Sequence, residues 1–531
     1  MFSKALLYLR TVRRMRTGMV FARLRGRRRL SERAFAGEHP LRMPRITIPE
    51  LDLDPRYLAR FDAEALFKGE FLLINERRKV DLGTWDVPGA SHLWSFNLHY
   101  FEWGVALAAR WRETGEGRCI DGYKGLVRSW MLACPYPEGD AWHPYTISLR
   151  LLNWLIAIDL FGGALQGDGA FFAEMRESMY RQYKHLLANQ ETHLRANHWW
   201  ENLKTLAIAS AAFGESDVHA RVMRRLEGQL NEQVLPDGVH FERSLMYHKL
   251  VLEGMLRVYV ASTQLGFALP GNFMPKAKSM LDAMASLERG MGKTPFFNDS
   301  ADGVAKECCP LAAACSRLLG MDADDTKTAF PDAGYYKLYG GDVAVMVDAG
   351  EPGPSYMLGH AHCDCLSFEL SYRGEPVVVN SGTYAYQSGL RPYFRSTAAH
   401  NTCVVDGEEQ LECWGEHRVG RGYRLLGAAF GGNSVLASVG LPGGKTLSRS
   451  IELCDGLLRV ADESGDGAHL ESHIHSPRNA SPSVEATSGC EMTRGVGKYS
   501  RQLSRLEECR DVVVAGKGSV SYTIDAGKEV S

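Results

Sequence analysis

The stretch Leu358–Val405 begins Leu-Gly-His360-Ala-His362-Cys-Asp364-Cys-Leu-Ser-Phe-Glu-Leu and ends Ala-Ala-His400-Asn-Thr-Cys-Val-Val. Alternate side chains of a β-strand share one face. A strand here places His360, His362 and Asp364 in line with the apolar residues that follow them and that point into a core. One buried histidine is most often a core residue with a hydrogen-bond partner. Three histidines this close together, each needing such a partner, indicate a site.

The length and composition restrict the class of protein. The chain has 531 residues, more than a single hydrophobic core holds, so at least two domains are expected. No apolar run is long enough to predict a transmembrane helix. The twelve cysteines show no Cys-x-x-Cys pattern and no export signal precedes them, which predicts free thiols in a reducing compartment. We therefore expect a cytoplasmic location or one at the inner face of the membrane.

The first 33 residues form a basic segment. They hold eleven Lys/Arg and one acid, a balance of +10, whereas the rest of the chain carries −12. Apolar residues lie among the arginines, but the features of a signal peptide are missing. Residues 1–35 therefore form either an amphipathic helix in peripheral contact with a membrane or a solvated tail. Nucleic acid is not an expected partner, because the remaining chain is acidic and has no basic stripe.

The hydrophobic period changes along the chain. Up to residue 319 it is helical, which predicts an array of antiparallel helical hairpins. The predicted helical segments are 97–112, 119–133, 145–162, 170–189, 197–213, 216–233, 239–266 and 273–289. After residue 330, short apolar runs between glycine-rich turns predict strands. We expect a helical domain over 36–328 and a mostly β domain over 329–531.

Two polar stretches interrupt the helical region. Residues 197–202 read Asn-His-Trp-Trp-Glu-Asn, and a helix there places Asn197 and Glu201 on one face. Residues 242–248 read Glu-Arg-Ser-Leu-Met-Tyr-His. Each stretch alone is equally compatible with a polar helix interface and with a functional site.

Together with His360-x-His362-x-Asp364 and the stretch 391–402, Arg-Pro-Tyr-Phe-Arg-Ser-Thr-Ala-Ala-His-Asn-Thr, these motifs resemble the heparinase II/III-like polysaccharide lyases. The resemblance runs from about residue 90 to residue 430. It implies an α+β multidomain fold, an incomplete α/α toroid followed by an antiparallel β-sandwich. It also implies β-elimination of a uronic-acid-containing polysaccharide in the cleft between the two domains.

The resemblance assigns roles that suit this reaction. Elimination removes the weakly acidic C5 proton beside a carboxylate, and amide and imidazole donors offset the developing charge. Asn197 and His198 are the implied donors, with Glu201 orienting His198. Tyr247 is implied to protonate the leaving oxygen and, if nearby cations lower its pKa, to act as the base as well. His360 is the candidate for the second proton-transfer group.

The remaining candidates are contacts to substrate and metal. Substrate contacts are expected from Glu201, Tyr386, Arg391 and Tyr393. By the same resemblance, His362 and His400 fall on positions that hold a structural zinc-like ion in parts of the family. The third position there is an aspartate and here is Asn380, a weaker ligand. We expect at most one loosely held structural divalent ion and no organic cofactor.

Two other functions remain open. A toroid glycoside hydrolase needs paired carboxylates across the cleft, and Asp299 and Asp302 are the candidates, although their surroundings predict a turn. A non-catalytic glycan-binding or assembly protein of an exopolysaccharide pathway fits the basic N-terminus and the missing export signal. The presence of Asn197, Tyr247 and His360 favours the lyase.

Overall fold

The computed structural model describes residues 4–465 and 467–529, so residues 1–3 of the predicted basic segment lie outside the described residues. Helices dominate the first part of the chain. Their bounds are α1 Lys4–Arg14, α2 Thr17–Arg25, α3 Pro49–Asp52, α4 Pro55–Leu58, α5 Ala63–Phe67, α6 His92–Tyr100, α7 Glu102–Thr114, α8 Gly117–Ala133, α9 Pro144–Phe161, α10 Gly163–Gln166, α11 Gly169–Ala188, α12 Ala196–Ala212, α13 Ser216–Gln233, α14 Leu245–Leu265, α15 Phe273–Glu288, α16 Cys308–Leu319 and α17 Arg391–Phe394.

The long helices pack in neighbouring pairs, as the apolar spacing predicts. α7 packs on α8 and α9, and α12 packs on α9, α13 and α14. Two predicted helices differ from those observed. The segment predicted over 97–112 is divided at Phe101, whose left-handed φ of 62° ends α6 and starts α7. The segment predicted from residue 239 begins only at Leu245, because Arg243 has a φ of 53° and Ser244 caps the helix.

Strands follow the helices. Their bounds are β1 Glu70–Leu73, β2 Glu76–Lys79, β3 Ala329–Phe330, β4 Tyr335–Gly340, β5 Val343–Asp348, β6 Phe368–Tyr372, β7 Glu375–Val378, β8 Cys403–Val405, β9 Leu411–Trp414, β10 Arg418–Gly422, β11 Arg424–Phe430, β12 Ser434–Gly440, β13 Thr446–Cys454, β14 Leu457–Glu463, β15 His469–Pro477, β16 Pro482–Ala486, β17 Glu491–Gln502, β18 Arg505–Lys517 and β19 Ser519–Glu529. Among the strands of the described residues, only the hairpin β1–β2 lies among the helices.

The C-terminal strands form layered antiparallel sheets. One sheet has the order β3-β4-β5-β6-β7, a second β17-β18-β15-β8, and a third β11-β12-β13-β14-β19-β16. Their inward side chains form one apolar core that includes Leu370, Ile451 and Ile524. Alternating burial along β12, β13 and β14 is the pattern expected when only one sheet face packs on a core. The predicted order, helices followed by an antiparallel β-sandwich, is confirmed.

The expected strand through His360, His362 and Asp364 is wrong. These residues lie in a loop, and β6 begins only at Phe368. Both side chains and backbone groups of nearby loops bond the backbone of this loop and of residues 297–299 beside it, and the Asp299 N–H donates to the His360 carbonyl at 3.0 Å. The His362 N–H donates to the Asn298 amide oxygen at 3.1 Å, and the Asn298 N–H donates to Asp364 at 2.6 Å. Hydrogen bonds therefore connect the loop that carries the histidines to the segment around Asn298, which follows α15.

The described part of the basic segment is docked on the protein. On α1, Thr11 accepts a hydrogen bond from the Trp414 indole at 3.0 Å, and Arg14 donates to the Gly420 carbonyl at 2.7 Å. On α2, Met19 is buried in an apolar cluster with Phe241. These contacts hold α1 and α2 as ordered helices rather than as a solvated tail.

Two further expectations concern the chain as a whole. All twelve cysteines lie in the described part of the chain and have free thiols, as the sequence predicts. Within the described residues, the helices are either too short or too polar to cross a bilayer.

Candidate active site

A cavity of about 380 Å³ lies between the helices and the β-sandwich. Helix α12 contributes Asn197, His198 and Glu201 to its wall, and α14 contributes Tyr247. The two loops that flank β6 and β7 contribute His360 and Tyr386. Six of the eight predicted catalytic and substrate-binding residues therefore meet in one cavity, and they come from both domains.

His360 is held in one orientation by a carboxylate. Its Nδ1 lies 2.9 Å from Asp299 Oδ2, and its Nε2 lies 3.2 Å from the Asn197 amide nitrogen. Because Asp299 can only accept, the Nδ1 atom carries the proton and donates it to the carboxylate. The amide nitrogen of Asn197 is a donor, so Nε2 presents its lone pair toward the cavity. A histidine fixed in this way is suited to accept a proton.

Asp299 is the buried centre of this arrangement. Arg391 donates to both of its carboxylate oxygens, with the longer contact at 2.7 Å, and His362 Nε2 lies 2.9 Å from Oδ1. Burial alone raises the pKa of Asp299, but Arg391, His360 and His362 outweigh it and hold that pKa well below its usual range. The carboxylate is therefore ionised and fixes the neighbouring imidazoles.

His198 has a separate carboxylate partner. Its Nδ1 lies 3.0 Å from Glu191, which is also fixed by the Asn202 amide at 3.0 Å. Burial alone lowers the pKa of His198, but the Glu191 charge outweighs it and raises that pKa above its usual value. The expectation that Glu201 orients His198 is wrong. Glu201 instead accepts a hydrogen bond from Lys204 one helical turn away, because their spacing of three places both on one face.

Asn197 lies between Glu242 and His360 and contacts both. Its amide nitrogen donates to Glu242 at 3.0 Å as well as facing His360. Glu242 is buried, and burial raises the pKa of its carboxyl above the usual value. Glu242 thereby fixes the Asn197 amide with its nitrogen, rather than its oxygen, toward His360.

Tyr247 places a hydroxyl on the same cavity. Its oxygen lies 3.0 Å from the Tyr386 hydroxyl oxygen, and its ring centroid lies 4.4 Å from that of His360. Burial, reinforced by Tyr386 and Asp299, raises the pKa of Tyr247 well above its usual value. The hydroxyl therefore keeps its proton at neutral pH and is suited to donate it. A lowered pKa, which the base role of Tyr247 requires, is not what this environment produces.

Family models match both parts of the chain. "Heparinase II/III N-terminus" matches residues 58–311, and "Heparinase II/III-like, C-terminal" matches residues 323–511. The chain belongs to the heparinase II/III-like family. The matched ranges include α12 and α14, which carry the helical half of the site, and the loop that carries His360.

Several known proteins are similar to this family member. A "Heparin-sulfate lyase" of Pedobacter heparinus is 23% identical over 368 residues, which are 63% of this chain and 55% of that protein. "FtsZ-localized protein C" of Caulobacter vibrioides is 24% identical over 391 residues, 71% of this chain and 64% of that protein. The matches therefore span less than two thirds of either relative. The "Crystal Structure of Heparinase III" matches with a TM-score of 0.71 and 14% identity, over 94% of this chain and 89% of that one. It confirms the predicted toroid and β-sandwich.

Two predicted substrate contacts lie elsewhere. Arg391 is behind the cavity wall, where both of its terminal nitrogens bind Asp299, so it positions the site rather than lining it. The Tyr393 hydroxyl accepts a hydrogen bond from the backbone N–H of Lys498 at 2.7 Å. The structure does not bring Tyr393 to the cavity.

The predicted metal ligands are only partly assembled. His362 Nδ1 and His400 Nε2 lie 3.2 Å apart, and Ser381 Oγ lies 3.1 Å from the same His400 atom. The amide oxygen of Asn380 instead accepts from the backbone N–H of Asn401 at 3.1 Å. Two imidazoles and a hydroxyl fall short of the three or four strong ligands of a structural zinc site. These residues do not fit the ion that the family resemblance implies, and no step of the chemistry is assigned to it.

Two other groups of side chains have metal-ligand spacing among the described residues. Asp299, His360 and His417 form one, but Asp299 is already bound by Arg391 and His362. The second group lies in the β-sandwich and is treated separately below.

Sequence reasoning missed the carboxylates of the site. Glu191, Glu242 and Asp299 orient His198, Asn197 and His360, respectively. Asp299 was expected in a turn, but it lies in a bend of an irregular segment that is buried beneath the cavity. Glu242 lies in a quoted motif, whereas Glu191 has no local pattern around it. Only the rule that each buried imidazole needs a partner indicates that such carboxylates exist.

Proposed function

We propose that this chain is a polysaccharide lyase that cleaves a uronic-acid-containing glycan by β-elimination. The observation that carries the proposal is the convergence of an Asp-fixed imidazole, a protonated tyrosine and an imidazole–amide pair on one cavity. Elimination needs a base, an acid and a means to neutralise a carboxylate, and it needs no nucleophile. Family membership and the similarity to a heparin-sulfate lyase support the same reaction class.

His198 and Asn197 are proposed to bind the uronate carboxylate. The raised pKa of His198 favours the imidazolium, which offsets the carboxylate charge. Asn197, which directly precedes His198 on α12, would donate a second hydrogen bond to the carboxylate. With the charge neutralised, the C5 proton becomes more acidic and the developing enolate is stabilised in the site. The carboxylate would take the Asn197 donor that now faces His360, which frees Nε2 of His360 for the proton.

His360 and Tyr247 are proposed to move the protons. His360 Nε2 takes the C5 proton, and Asp299 stabilises the resulting imidazolium. The electron pair of the C5–H bond forms the C4–C5 double bond as the C4–O bond breaks. Tyr247 donates its proton to the leaving oxygen, and its raised pKa suits an acid rather than a resting base. Proton return from His360 through solvent restores both groups.

The direct test is product chemistry. The full chain is incubated with heparan, hyaluronan, alginate and bacterial exopolysaccharides, and absorbance of the unsaturated uronate is followed in the ultraviolet. A rise in absorbance with chain cleavage is the expected result on at least one glycan. Reducing ends that appear without the chromophore would instead show hydrolysis.

The hydrolase alternative has little support in the site. Asp302 is paired with Arg501 at 2.9 Å, and Asp299 is enclosed by Arg391 and two histidines. Neither carboxylate is available as a nucleophile or base facing a sugar. One observation favours the non-catalytic alternative. The similarity to FtsZ-localized protein C covers 71% of this chain, whereas the similarity to the heparin-sulfate lyase covers 63%. Glycan binding without turnover on any glycan of the panel would favour it.

We expect Glu191→Gln to raise KM and shift its pH dependence. Glu191 raises the pKa of His198, so uronate binding is complete below that pKa and is lost as pH rises through it. The neutral amide removes this effect, so the loss should occur at lower pH. Since a hydrogen bond to a charged group is worth about 1.5–3 kcal/mol, KM near neutral pH should rise about tenfold or more.

The matched control is Glu215→Gln. Glu215 also holds aromatic side chains in the helical domain, by hydrogen bonds from Tyr180 and Tyr183, but it lies away from the cavity wall. KM is measured against pH for both variants. The same KM–pH curve in Glu191→Gln and in the unaltered protein would contradict the role of Glu191.

We further propose that α1 and α2 make peripheral contact with an anionic membrane, at the inner face. The side of these helices that does not pack on the protein exposes Phe21 by 72% and Leu24 by 78%. Leu9 and Val12 are each about half exposed. Exposed arginines lie on the same two helices and in the segment that follows them, at positions 13, 23, 25, 27, 28 and 29. An apolar face with basic flanks suits insertion among anionic headgroups.

We expect the double variant Phe21→Ser with Leu24→Ser to bind anionic vesicles at least about tenfold more weakly. Each large apolar side chain contributes roughly 1.5–3 kcal/mol when fully buried. Both side chains are exposed, so folding should be unchanged. Binding to phosphatidylglycerol vesicles is measured by sedimentation at low and high salt. Leu132→Ser, at an equally exposed leucine on α8, is the control, and equal binding by all three proteins would refute the contact.

A further inference from the structure

A second histidine–carboxylate cluster lies in the β-sandwich. His473 and His475 are two positions apart on β15 and share one face of the sheet, and Asp511 on β18 lies directly opposite His475. His473 Nδ1 lies 3.2 Å from Asp511 Oδ1, and His475 Nε2 lies 3.5 Å from the same oxygen. The three ligand atoms lie within 4.8 Å of one another. Nothing in the proposed elimination uses them.

The tautomer of His475 is determined by its neighbour. The backbone N–H of His475 donates to the Asn401 amide oxygen at 2.7 Å, which fixes the orientation of that amide. His475 Nδ1 lies 3.2 Å from the same oxygen and must therefore donate to it. The lone pair is left on Nε2, which is buried, has no hydrogen-bond partner and points toward the Asp511 carboxylate. Two acceptors then face each other, an arrangement that a cation stabilises.

The neighbouring strand leaves the cluster without a covering side chain. Strand β17 has glycine at the two positions that face the cluster, Gly495 opposite Asp511 and Gly497 two residues on. A Cβ atom at Gly497 would lie 3.1 Å from the His475 ring, so any side chain there would cover the imidazole. Asp511 remains 18% exposed, which leaves a path from solvent.

We propose that His473, His475 and Asp511 bind a divalent transition-metal ion of the zinc type that links β15 to β18. Two imidazoles and one carboxylate are a common ligand set for zinc, with solvent as the fourth ligand. Asn401 acts behind the ligands, since it holds His475 with Nε2 toward the ion. The site is separate from the His362–His400 pair, which shares none of these ligands.

Zinc binding to the full-length, chelator-treated chain tests the proposal. Zn²⁺ is titrated in competition with a chromophoric chelator, and Co²⁺ absorption reports the ligand geometry. His473→Ala and Asp511→Asn should each weaken binding of one ion by more than the roughly 10–100-fold lost when only a supporting residue is changed. Asp511→Asn keeps the side-chain shape, so it tests the ligand even where His473→Ala perturbs the sheet.

The matched control is His469→Ala. His469 lies on the same strand and pairs with Glu471 at 3.3 Å, but it is exposed and outside the cluster. Zn²⁺ should raise the Tm of the unaltered protein and of His469→Ala, and should leave that of Asp511→Asn unchanged. The double variant His362→Gln with His400→Gln should retain the ion. The proposal would be overturned if Asp511→Asn bound Zn²⁺ as tightly as the unaltered protein does. It would also be overturned if the unaltered protein bound no Zn²⁺ at micromolar concentration.

Discussion

Tyr247→Phe should lower kcat by about 10²–10⁴-fold on a glycan that the unaltered chain cleaves, the loss typical of a missing general acid. The substitution removes one hydroxyl and keeps the ring, so packing in the cavity wall is preserved. The hydroxyl lies 3.0 Å from that of Tyr386, which becomes the unpaired partner. The resulting cost in the free energy of unfolding should not exceed about 1–3 kcal/mol. Binding of substrate should be largely retained, because the interaction forms on the leaving oxygen during bond cleavage.

Tyr123→Phe is the control for this substitution. The Tyr123 hydroxyl is buried in the helical domain without a hydrogen-bond partner and lies away from the cavity, so its removal should change neither turnover nor stability appreciably. Turnover is measured by absorbance of the unsaturated product and stability by thermal unfolding. If Tyr247→Phe turns over substrate as fast as Tyr123→Phe does, Tyr247 is not the proton donor and the proposed mechanism fails at that step.

His360→Asn should lower kcat/KM by a similar factor of about 10²–10⁴. Asparagine has an amide that can still donate to Asp299, so the buried carboxylate keeps a partner. What disappears is Nε2, the atom proposed to take the C5 proton. The separate kinetic constants distinguish this role from a structural one, because loss of the base should lower kcat while leaving KM largely unchanged.

His417→Asn is the matched control for His360. His417 lies on the same cavity wall, with its ring centroid 5.6 Å from that of His360, and takes no part in the proposed proton transfer. Its substitution should change kcat/KM by less than about threefold, within the ordinary effect of an exposed site. Equal losses in the two variants, or a loss in His360→Asn that lies in KM alone, would show that His360 shapes the cavity and does not act as the base.

The two catalytic variants also separate enzyme from binding protein. A lyase loses turnover in both variants while its affinity for glycan changes little. A non-catalytic glycan-binding protein shows no unsaturated product in any form. The distinction holds even if the preferred glycan differs from those of the similar lyases.

The sequence by itself determined the order of the two domains, helices first and strands after, and its family resemblance implied the toroid and the β-sandwich. Helical apolar spacing up to residue 319 and short β runs after residue 330 specify which faces must be buried, and each pattern is local. The predictions of individual elements that were wrong also have local causes. The helix divided at Phe101 and the loop at His360 depend on left-handed residues and side-chain-to-backbone bonds, which hydrophobic periodicity does not encode.

The sequence also pointed to the proposed reacting groups, since the motifs around Asn197, Tyr247 and His360 resemble those of the lyase family and carry residue types that elimination needs. Only the tertiary structure decided what each group can do. Glu191 and Asp299 reach His198 and His360 through the packing of separate segments, and burial determines that Tyr247 keeps its proton. A side chain's protonation and orientation depend on the charges and the solvent exclusion around it. Those are set by residues distant in the chain, so no local pattern contains them.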